Sequence, residues 1–141
     1  MIIEKINKSN YAQALEVYKA SWRESHRDVC SEEFLERRDY DGYLRSRMDS
    51  LYVIADGVIV GVFTLNGNTF GDLYIHPQKQ EMGYGTACIR YAKTKIDSLR
   101  LTVLSGNLAA IRLYQREGFQ FTGNEIPLKN GIRECEMIFC R

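Results

Sequence analysis

The hydrophobic positions in the first third of the chain predict one strand followed by two helices. Residues 2–6 form a short apolar run that is typical of an opening strand. Apolar residues then recur every three or four positions across 10–24, the pattern of an amphipathic helix. Ser31 is followed by two glutamates, which predicts the N-terminus of a second helix. Residues 37–47 are highly charged, and we expect them to lie on the surface.

The middle of the chain is patterned as three consecutive antiparallel strands. Its apolar runs span residues 51–55, 58–65 and 69–75. Asp56-Gly57 separates the first two runs, and this dipeptide strongly favours a two-residue hairpin turn. A second polar turn at 66–68 leads into the third run. Pro77 ends that run because proline has no N–H to donate to a sheet.

The remaining sequence alternates between helix and strand patterns. In chain order it predicts a helix over 85–96, a strand over 99–104, a helix over 107–117, and strands over 119–128 and 132–139. A strand, a helix and a further strand in succession place the two strands parallel. Asn130-Gly131 predicts a closing hairpin. The pattern therefore predicts an α+β fold, with helices packed on a mixed, mostly antiparallel sheet.

Composition narrows the class of protein. The 141 residues are 45% hydrophobic and 26% charged, close to a globular average, so we expect one domain over 1–141. The longest apolar run, 58–65, is too short to cross a bilayer, and the N-terminus lacks a signal-peptide pattern. We therefore expect a cytoplasmic protein that does not bind membranes. A net charge of +1 gives no long-range attraction to nucleic acid.

The four cysteines do not indicate a metal site. They show no CxxC spacing, and only two histidines accompany them, so we expect no bound metal. Cys88 and Cys135 fall within apolar patterns, which predicts that they are small core residues.

A glycine-rich turn lies between the third apolar run and the following helix. Gly83 and Gly85 allow several backbone amides to point toward one centre, and the helix N-terminus adds its positive end. Such a turn can hold a phosphate or pyrophosphate, although two glycines alone more often mark a tight turn that binds nothing. A dinucleotide-binding motif requires glycine at position 88, where Cys88 stands, and no P-loop lysine is present.

The turn and the next helix together resemble one known family. Gln80-x-x-Gly83-x-Gly85 is similar to the pyrophosphate-binding motif of the GCN5-related N-acetyltransferase (GNAT) superfamily. The segment 107–119, with Asn107, Ala109, Ala110, Tyr114 and Gly118 in place, resembles that family's following helix. The clear match covers about 51–139, whereas the first third agrees only in the order of its elements. The resemblance implies a GNAT-like fold in which two parallel strands splay apart.

The resemblance also implies acetyl-coenzyme A as the co-substrate. Backbone groups of Leu73 and Ile75 are expected to bind the pantetheine arm, as an exposed strand edge can. Amides from Met82 to Thr86 are expected to bind the pyrophosphate. The full set of predicted cofactor-binding residues is Leu73, Ile75, Gln80, Met82, Gly83, Tyr84, Gly85, Thr86, Asn107 and Ala110. For Asn107, helix capping alone and capping combined with a coenzyme A contact both remain open.

The resemblance assigns the role of general acid to Tyr114. This residue follows Asn107 by about two helical turns, so the two share one helix face roughly 10 Å apart. The base is less well defined. Some family members carry a glutamate where this chain has Thr102, and Asp72 is the nearest carboxylate, which makes it the candidate base. A water relay to a backbone carbonyl is an alternative.

Together these expectations predict an N-acetyltransferase that binds acetyl-coenzyme A and the acceptor in one ternary complex, in which the acceptor attacks directly. Its acceptor is predicted to be a primary amine of a small molecule or of a peptide or protein N-terminus. Trp22, His26, Asp28 and Phe34 are candidate acceptor contacts by location. A non-catalytic acyl-CoA-binding module is the alternative function. The sequence leaves open a longer acyl donor, a hydroxyl target, and whether the protein is a monomer or a homodimer.

Overall fold

The structure is a computed structural model that describes the backbone of residues 1–141 and every side chain except that of residue 130. The helices are α1 (Tyr11–Ser25), α2 (Glu32–Arg37), α3 (Tyr40–Ser46), α4 (Tyr84–Lys95) and α5 (Leu108–Arg116). The strands are β1 (Ile2–Lys5), β2 (Leu51–Asp56), β3 (Val58–Asn66), β4 (Thr69–Ile75), β5 (Ser98–Leu104), β6 (Gln120–Pro127) and β7 (Arg133–Cys140). No helix of the described residues is both long enough and apolar enough to cross a bilayer.

All seven strands belong to one mixed sheet in the order β1-β2-β3-β4-β5-β7-β6. Only β4 and β5 run parallel, and every other neighbouring pair is antiparallel. The predicted α+β fold with a mostly antiparallel sheet is therefore confirmed. The predicted hairpins are present as well, with Gly57 and Gly67 in left-handed conformations at φ of +78° and +60°. The closing hairpin inserts β7 between β5 and β6.

The parallel pair separates almost as soon as it forms. Its register contains a single pair, Thr69 with Arg100, next to a backbone hydrogen bond of 2.8 Å from Arg100 N to Asn68 O. Farther along β4, Asp72 adopts φ of +47° where the register with β3 shifts by a bulge. The edge of β4 beyond the bulge consequently has no strand partner on the β5 side. The splayed parallel strands implied by the resemblance are thus present.

The two faces of the sheet carry two hydrophobic cores. One core packs α4 and α5 against the sheet and contains Cys88 and Cys135, which are 0% and 7% exposed, as predicted. The other core packs α1 and α3 against β2 and β3, with Tyr18 at its centre. The helices on both faces hold the central strands in place and leave the opening between β4 and β5 as a gap in the sheet.

The expectation that residues 37–47 lie wholly on the surface is wrong. Most of this segment forms α3, and Tyr40 and Leu44 are buried at 4% and 1% exposure. The two residues are four apart, so they share one helix face while the charged side chains occupy the others. Asp39 caps the helix by accepting a hydrogen bond of 2.9 Å from the backbone N–H of Gly42.

Candidate functional site

A cleft of about 670 Å³ opens where β4 and β5 diverge. It is bounded by the free edge of β4, the start of α4, one face of α5 and the C-terminal end of α1. Its lining residues are Ser21, Glu24, Ser25, Leu73, Tyr74, Ile75, Lys79, Gln80, Glu81, Gly83, Tyr84, Gly85, Thr86, Asn107, Ala109, Ala110, Arg112, Leu113, Tyr114 and Arg116. Nine of the ten predicted cofactor-binding residues lie in this lining. The tenth, Met82, is 60% exposed and lies outside it.

The two glycines at the start of α4 serve different purposes. Gly83 is the N-cap in a left-handed conformation at φ of +87°, and no side chain caps this helix end. The first-turn residues line the cleft, and their N–H groups have no acceptor among the side chains that the structure describes. Gly85 is needed for close packing, since a Cβ there would lie 3.1 Å from Leu113 Cδ2 and 3.7 Å from Leu73 Cδ2.

The β4 edge presents main-chain groups and one tyrosine to the cleft. Leu73, Tyr74 and Ile75 all contribute to the lining. Gln80 Nε2 donates a hydrogen bond of 3.2 Å to the Ile75 carbonyl oxygen, which ties the glycine-rich turn to the end of the strand. The structure thereby gives Gln80 a positioning role at the cleft, in addition to its predicted cofactor contact.

Asn107 is the N-cap of α5. Its Oδ1 accepts a hydrogen bond of 3.2 Å from the backbone N–H of Ala110, and both residues line the cleft. This interaction confirms the capping that is common to both of its predicted roles. Whether Asn107 also contacts coenzyme A stays a prediction.

Tyr114 reaches the cleft from the face of α5 that packs on the sheet. Its ring is 7% exposed and lies 5.7 Å from the ring of Phe119, centre to centre. The residue lines the cleft, and its hydroxyl makes no hydrogen bond with the groups that the structure describes. Burial raises the pKa of Tyr114, and the thiol of Cys88 and the carboxylate of Asp72 add to this rise. Tyr114 is therefore protonated at neutral pH and available as a hydrogen-bond donor.

Tyr84 contributes its backbone to the cleft and its side chain to the scaffold. The hydroxyl donates a hydrogen bond of 2.7 Å to Asp56 Oδ2, and this bond raises the pKa of Tyr84. The contact fixes the start of α4 to the turn between β2 and β3. The predicted role of Tyr84 in pyrophosphate binding concerns only its main-chain N–H.

Asp72 lies at the bulge but outside the cleft lining. Its Oδ1 accepts a hydrogen bond of 2.9 Å from the Tyr43 hydroxyl, and its Oδ2 accepts one of 3.3 Å from Thr64 Oγ1. Arg47 Nε lies 3.9 Å from Oδ2. Both carboxylate oxygens are thus engaged on the α1 and α3 face of the sheet. The role of Asp72 as the base stays a prediction.

The candidate acceptor contacts are not brought together in the cleft. Trp22 stacks on His26 with ring centres 3.6 Å apart and lies 6.4 Å from the ring of Phe34. The guanidinium carbon of Arg38 lies 4.0 Å from the centre of the Trp22 ring. These residues join α1 to α2 and α3, and neither they nor Asp28 line the cleft. The α1 residues that do line it are Ser21, Glu24 and Ser25.

Three cations in the cleft were not identified from the sequence. Lys79, Arg112 and Arg116 line it, and none of them forms an ion pair with the side chains that the structure describes. Arg112 and Arg116 are four residues apart on the predicted helix. The sequence therefore placed them on one helix face, and that shared face could have indicated an anion-binding surface. Lys79 directly precedes the motif glutamine. Together they provide positive charge in the cleft that the start of α4 also lines.

The family comparison agrees with this geometry. The model of the acetyltransferase (GNAT) family matches residues 11–119, well over half of the sequence. The chain belongs to the acetyltransferase (GNAT) family. No curated protein sequence matches it.

Several solved structures share the fold at low sequence identity. The apo-form of YjaB from Escherichia coli is 20% identical with a TM-score of 0.77, covering 99% of this chain and 98% of that one. The PaiA N-acetyltransferase from Thermoplasma acidophilum, in complex with coenzyme A, is 20% identical with a TM-score of 0.71 and the same coverage. A ribosomal-protein-alanine N-acetyltransferase from Brucella melitensis is 17% identical with a TM-score of 0.70, covering 100% of both chains.

Proposed function

We propose that this protein transfers an acetyl group from acetyl-coenzyme A to a primary amine, of a small molecule or of a peptide or protein N-terminus. The observation that carries the proposal is the convergence of three features in one cleft. These features are the unpaired edge of β4, the uncapped first turn of α4 and the free hydroxyl of Tyr114. Membership of the acetyltransferase family supports it, as does a fold neighbour solved with coenzyme A.

The cleft fits the parts of coenzyme A in order. The main chain of Leu73 and Ile75 offers hydrogen-bonding groups to the amides of a pantetheine arm. The amides of residues 83–86 offer donors and a positive helix end to the pyrophosphate. Lys79 and Arg112 add unpaired positive charge for a polyanion.

The reaction in a ternary complex requires no covalent enzyme intermediate. The lone pair of a neutral amine attacks the thioester carbonyl carbon, the carbon–sulfur bond breaks, and an amide forms. The amine loses a proton to water or to a base, and the departing sulfur is stabilised by the Tyr114 hydroxyl. A free tyrosine has a pKa of about 10 and a thiol about 8.5, so complete proton transfer is uphill by about 2 kcal/mol. Burial raises the pKa of Tyr114 further, which favours hydrogen bonding to the developing thiolate over complete transfer.

A non-catalytic acyl-CoA-binding module is the second candidate. The observation that favours it is the absence of a carboxylate at Thr102, combined with the engagement of Asp72 by Tyr43 and Thr64. Such a module would retain the cleft and bind acyl-CoA without turnover.

One assay separates the two candidates. The purified protein is incubated with acetyl-CoA, a panel of amines and a thiol reagent, while calorimetry measures coenzyme A binding. We expect acceptor-dependent release of free thiol and an acetylated amine by mass spectrometry. Binding without any acceptor-dependent thiol release supports the module. Absence of binding at millimolar coenzyme A refutes both.

A further inference from the structure

The sheet face on the α1 side is open at β5, β7 and β6. Along β5, Leu101 and Val103 are buried in the core below α4 and α5, whereas Thr102 is exposed on the opposite face. The register places Glu136 directly across from Thr102 and Glu134 directly across from Leu104. Two glutamates therefore stand on the open face, beside the strand that splays away from β4.

The two glutamates differ in their partners. Glu136 accepts hydrogen bonds of 2.8 Å from Thr122 Oγ1 and 3.0 Å from Asn124 Nδ2, and it lies 3.5 Å from Arg100 Nε. These hydrogen bonds, first that from Thr122, lower the pKa of Glu136. Glu134 is half-buried and forms no hydrogen bond or ion pair through its carboxylate with any side chain that the structure describes. On this face Glu134 therefore carries a negative charge that no described cationic side chain pairs with.

The surroundings of Glu134 are aliphatic. Leu104 of β5 lies across from it on one side and Ile126 of β6 on the other. Directly opposite residues have Cβ atoms about 4.5–5.5 Å apart in an antiparallel pair. Ile126 is 53% exposed, which leaves apolar surface open beside the carboxylate. A half-buried carboxylate between two aliphatic side chains suits an ammonium group on an alkyl stem.

The position of Glu134 relates it to the proposed reaction. β4 and β5 diverge toward Ile75 and Leu104, and Glu134 lies across from Leu104 on β7, one strand away from the wide end of the gap and outside the cleft lining. Tyr114 belongs to the core on the opposite face of the sheet. The acceptor would therefore approach from the open face of the sheet. The thiol would leave on the opposite face, toward Tyr114.

From this arrangement we infer that Glu134 is a specificity-determining residue that selects acceptors with a second positive charge on an aliphatic stem. The inference rests on the proposed function. One amine of the acceptor stays an ammonium ion and pairs with the Glu134 carboxylate. The other, in its neutral form, attacks the thioester. Glu134 thus positions the acceptor and takes no part in proton transfer.

The test compares a diamine with a monoamine of equal chain length. Binding of 1,5-diaminopentane and of pentylamine is measured by NMR titration, with and without coenzyme A, and acetyl transfer to both is measured in parallel. We expect the wild-type protein to acetylate the diamine with a kcat/KM at least about tenfold that of pentylamine, because pentylamine held at Glu134 by its own ammonium has no second amine to attack the thioester. The variant Glu134→Gln is expected to remove this difference, raise KM for the diamine, and keep kcat and coenzyme A affinity within about twofold.

The matched control is Glu125→Gln. Glu125 lies on the same hairpin with an ion pair to Arg133 at 3.0 Å, but it pairs with Cys135 and so faces the other side of the sheet. This variant is expected to keep the diamine preference. Equal kcat/KM for the two amines in the wild type, or a preference that persists in Glu134→Gln, overturns the inference. Failure of the proposed function is a separate outcome, since it appears as absent thiol release while the amine titrations still report on Glu134.

Discussion

Replacing Tyr114 with phenylalanine removes one hydroxyl and leaves the packing of the ring unchanged. The ring is 7% exposed and packs against Phe119, and these contacts are retained in the variant. Because the hydroxyl has no partner among the described groups, its removal leaves no buried group unsatisfied. We therefore expect the free energy of unfolding to change by no more than about 0.5 kcal/mol.

The expected effect on catalysis is much larger. A hydrogen bond to a charged group contributes about 1.5–3 kcal/mol, and here that charge develops only as the thiolate departs. The loss corresponds to a decrease in kcat of about 10- to 160-fold, at about 1.36 kcal/mol for each factor of ten. Binding of coenzyme A is expected to stay within about twofold. Because burial raises the pKa of Tyr114, its ionisation is not expected to limit kcat between pH 6 and 9.

The measurement is steady-state thiol release, together with calorimetry for coenzyme A and a thermal melt for each variant. Tyr91→Phe is the matched control, since Tyr91 is a half-buried tyrosine of α4 that does not line the cleft. A kcat for Tyr114→Phe within twofold of the wild type, at unchanged melting temperature, would refute the role given to the hydroxyl. So would a rise in the coenzyme A dissociation constant as large as the fall in kcat.

Three further predictions follow from particular residues. Gly83→Ala places a Cβ at φ of +87°, and it is expected to lower the free energy of unfolding by about 1–2 kcal/mol in urea titrations; no change would contradict the strain. Arg112→Ala is expected to weaken coenzyme A binding about fivefold and to reduce its salt dependence in calorimetry, whereas the exposed Arg37→Ala should match the wild type. Burial lowers the pKa of His26 in the folded protein. Below about pH 6.5, His26 therefore binds a proton more readily in the unfolded chain than in the folded one. Stability should consequently fall as pH decreases, and an equally steep fall in His26→Gln melts would exclude this cause.

Local chemistry made much of the fold predictable. Hairpin turns depend on a few neighbouring residues, so Asp56-Gly57 and the turn at 66–68 gave correct antiparallel pairings. The error at residues 37–47 has a physical explanation as well. The many charged residues in this segment led to the prediction of a surface position. The burial of Tyr40 and Leu44 depends instead on the packing of α1 against α3.

The sequence by itself determined the glycine turn, the asparagine cap and the position of Tyr114. Each depends on conformation within a few residues: a left-handed Gly83, an N-cap at Asn107 and a tyrosine two turns later on the same helix. These features were enough to indicate the family.

Only the tertiary structure decided which charges remain unpaired around the gap. Glu134 and Glu136 are two residues apart and share one strand face, yet only Glu136 has a cationic partner. That partner is Arg100, which lies on β5, more than thirty positions earlier in the chain. The insertion of β7 beside β5 sets that pairing, as does the bulge that turns Asp72 toward Tyr43. Register between strands depends on packing across the whole sheet, so local sequence patterns do not specify it.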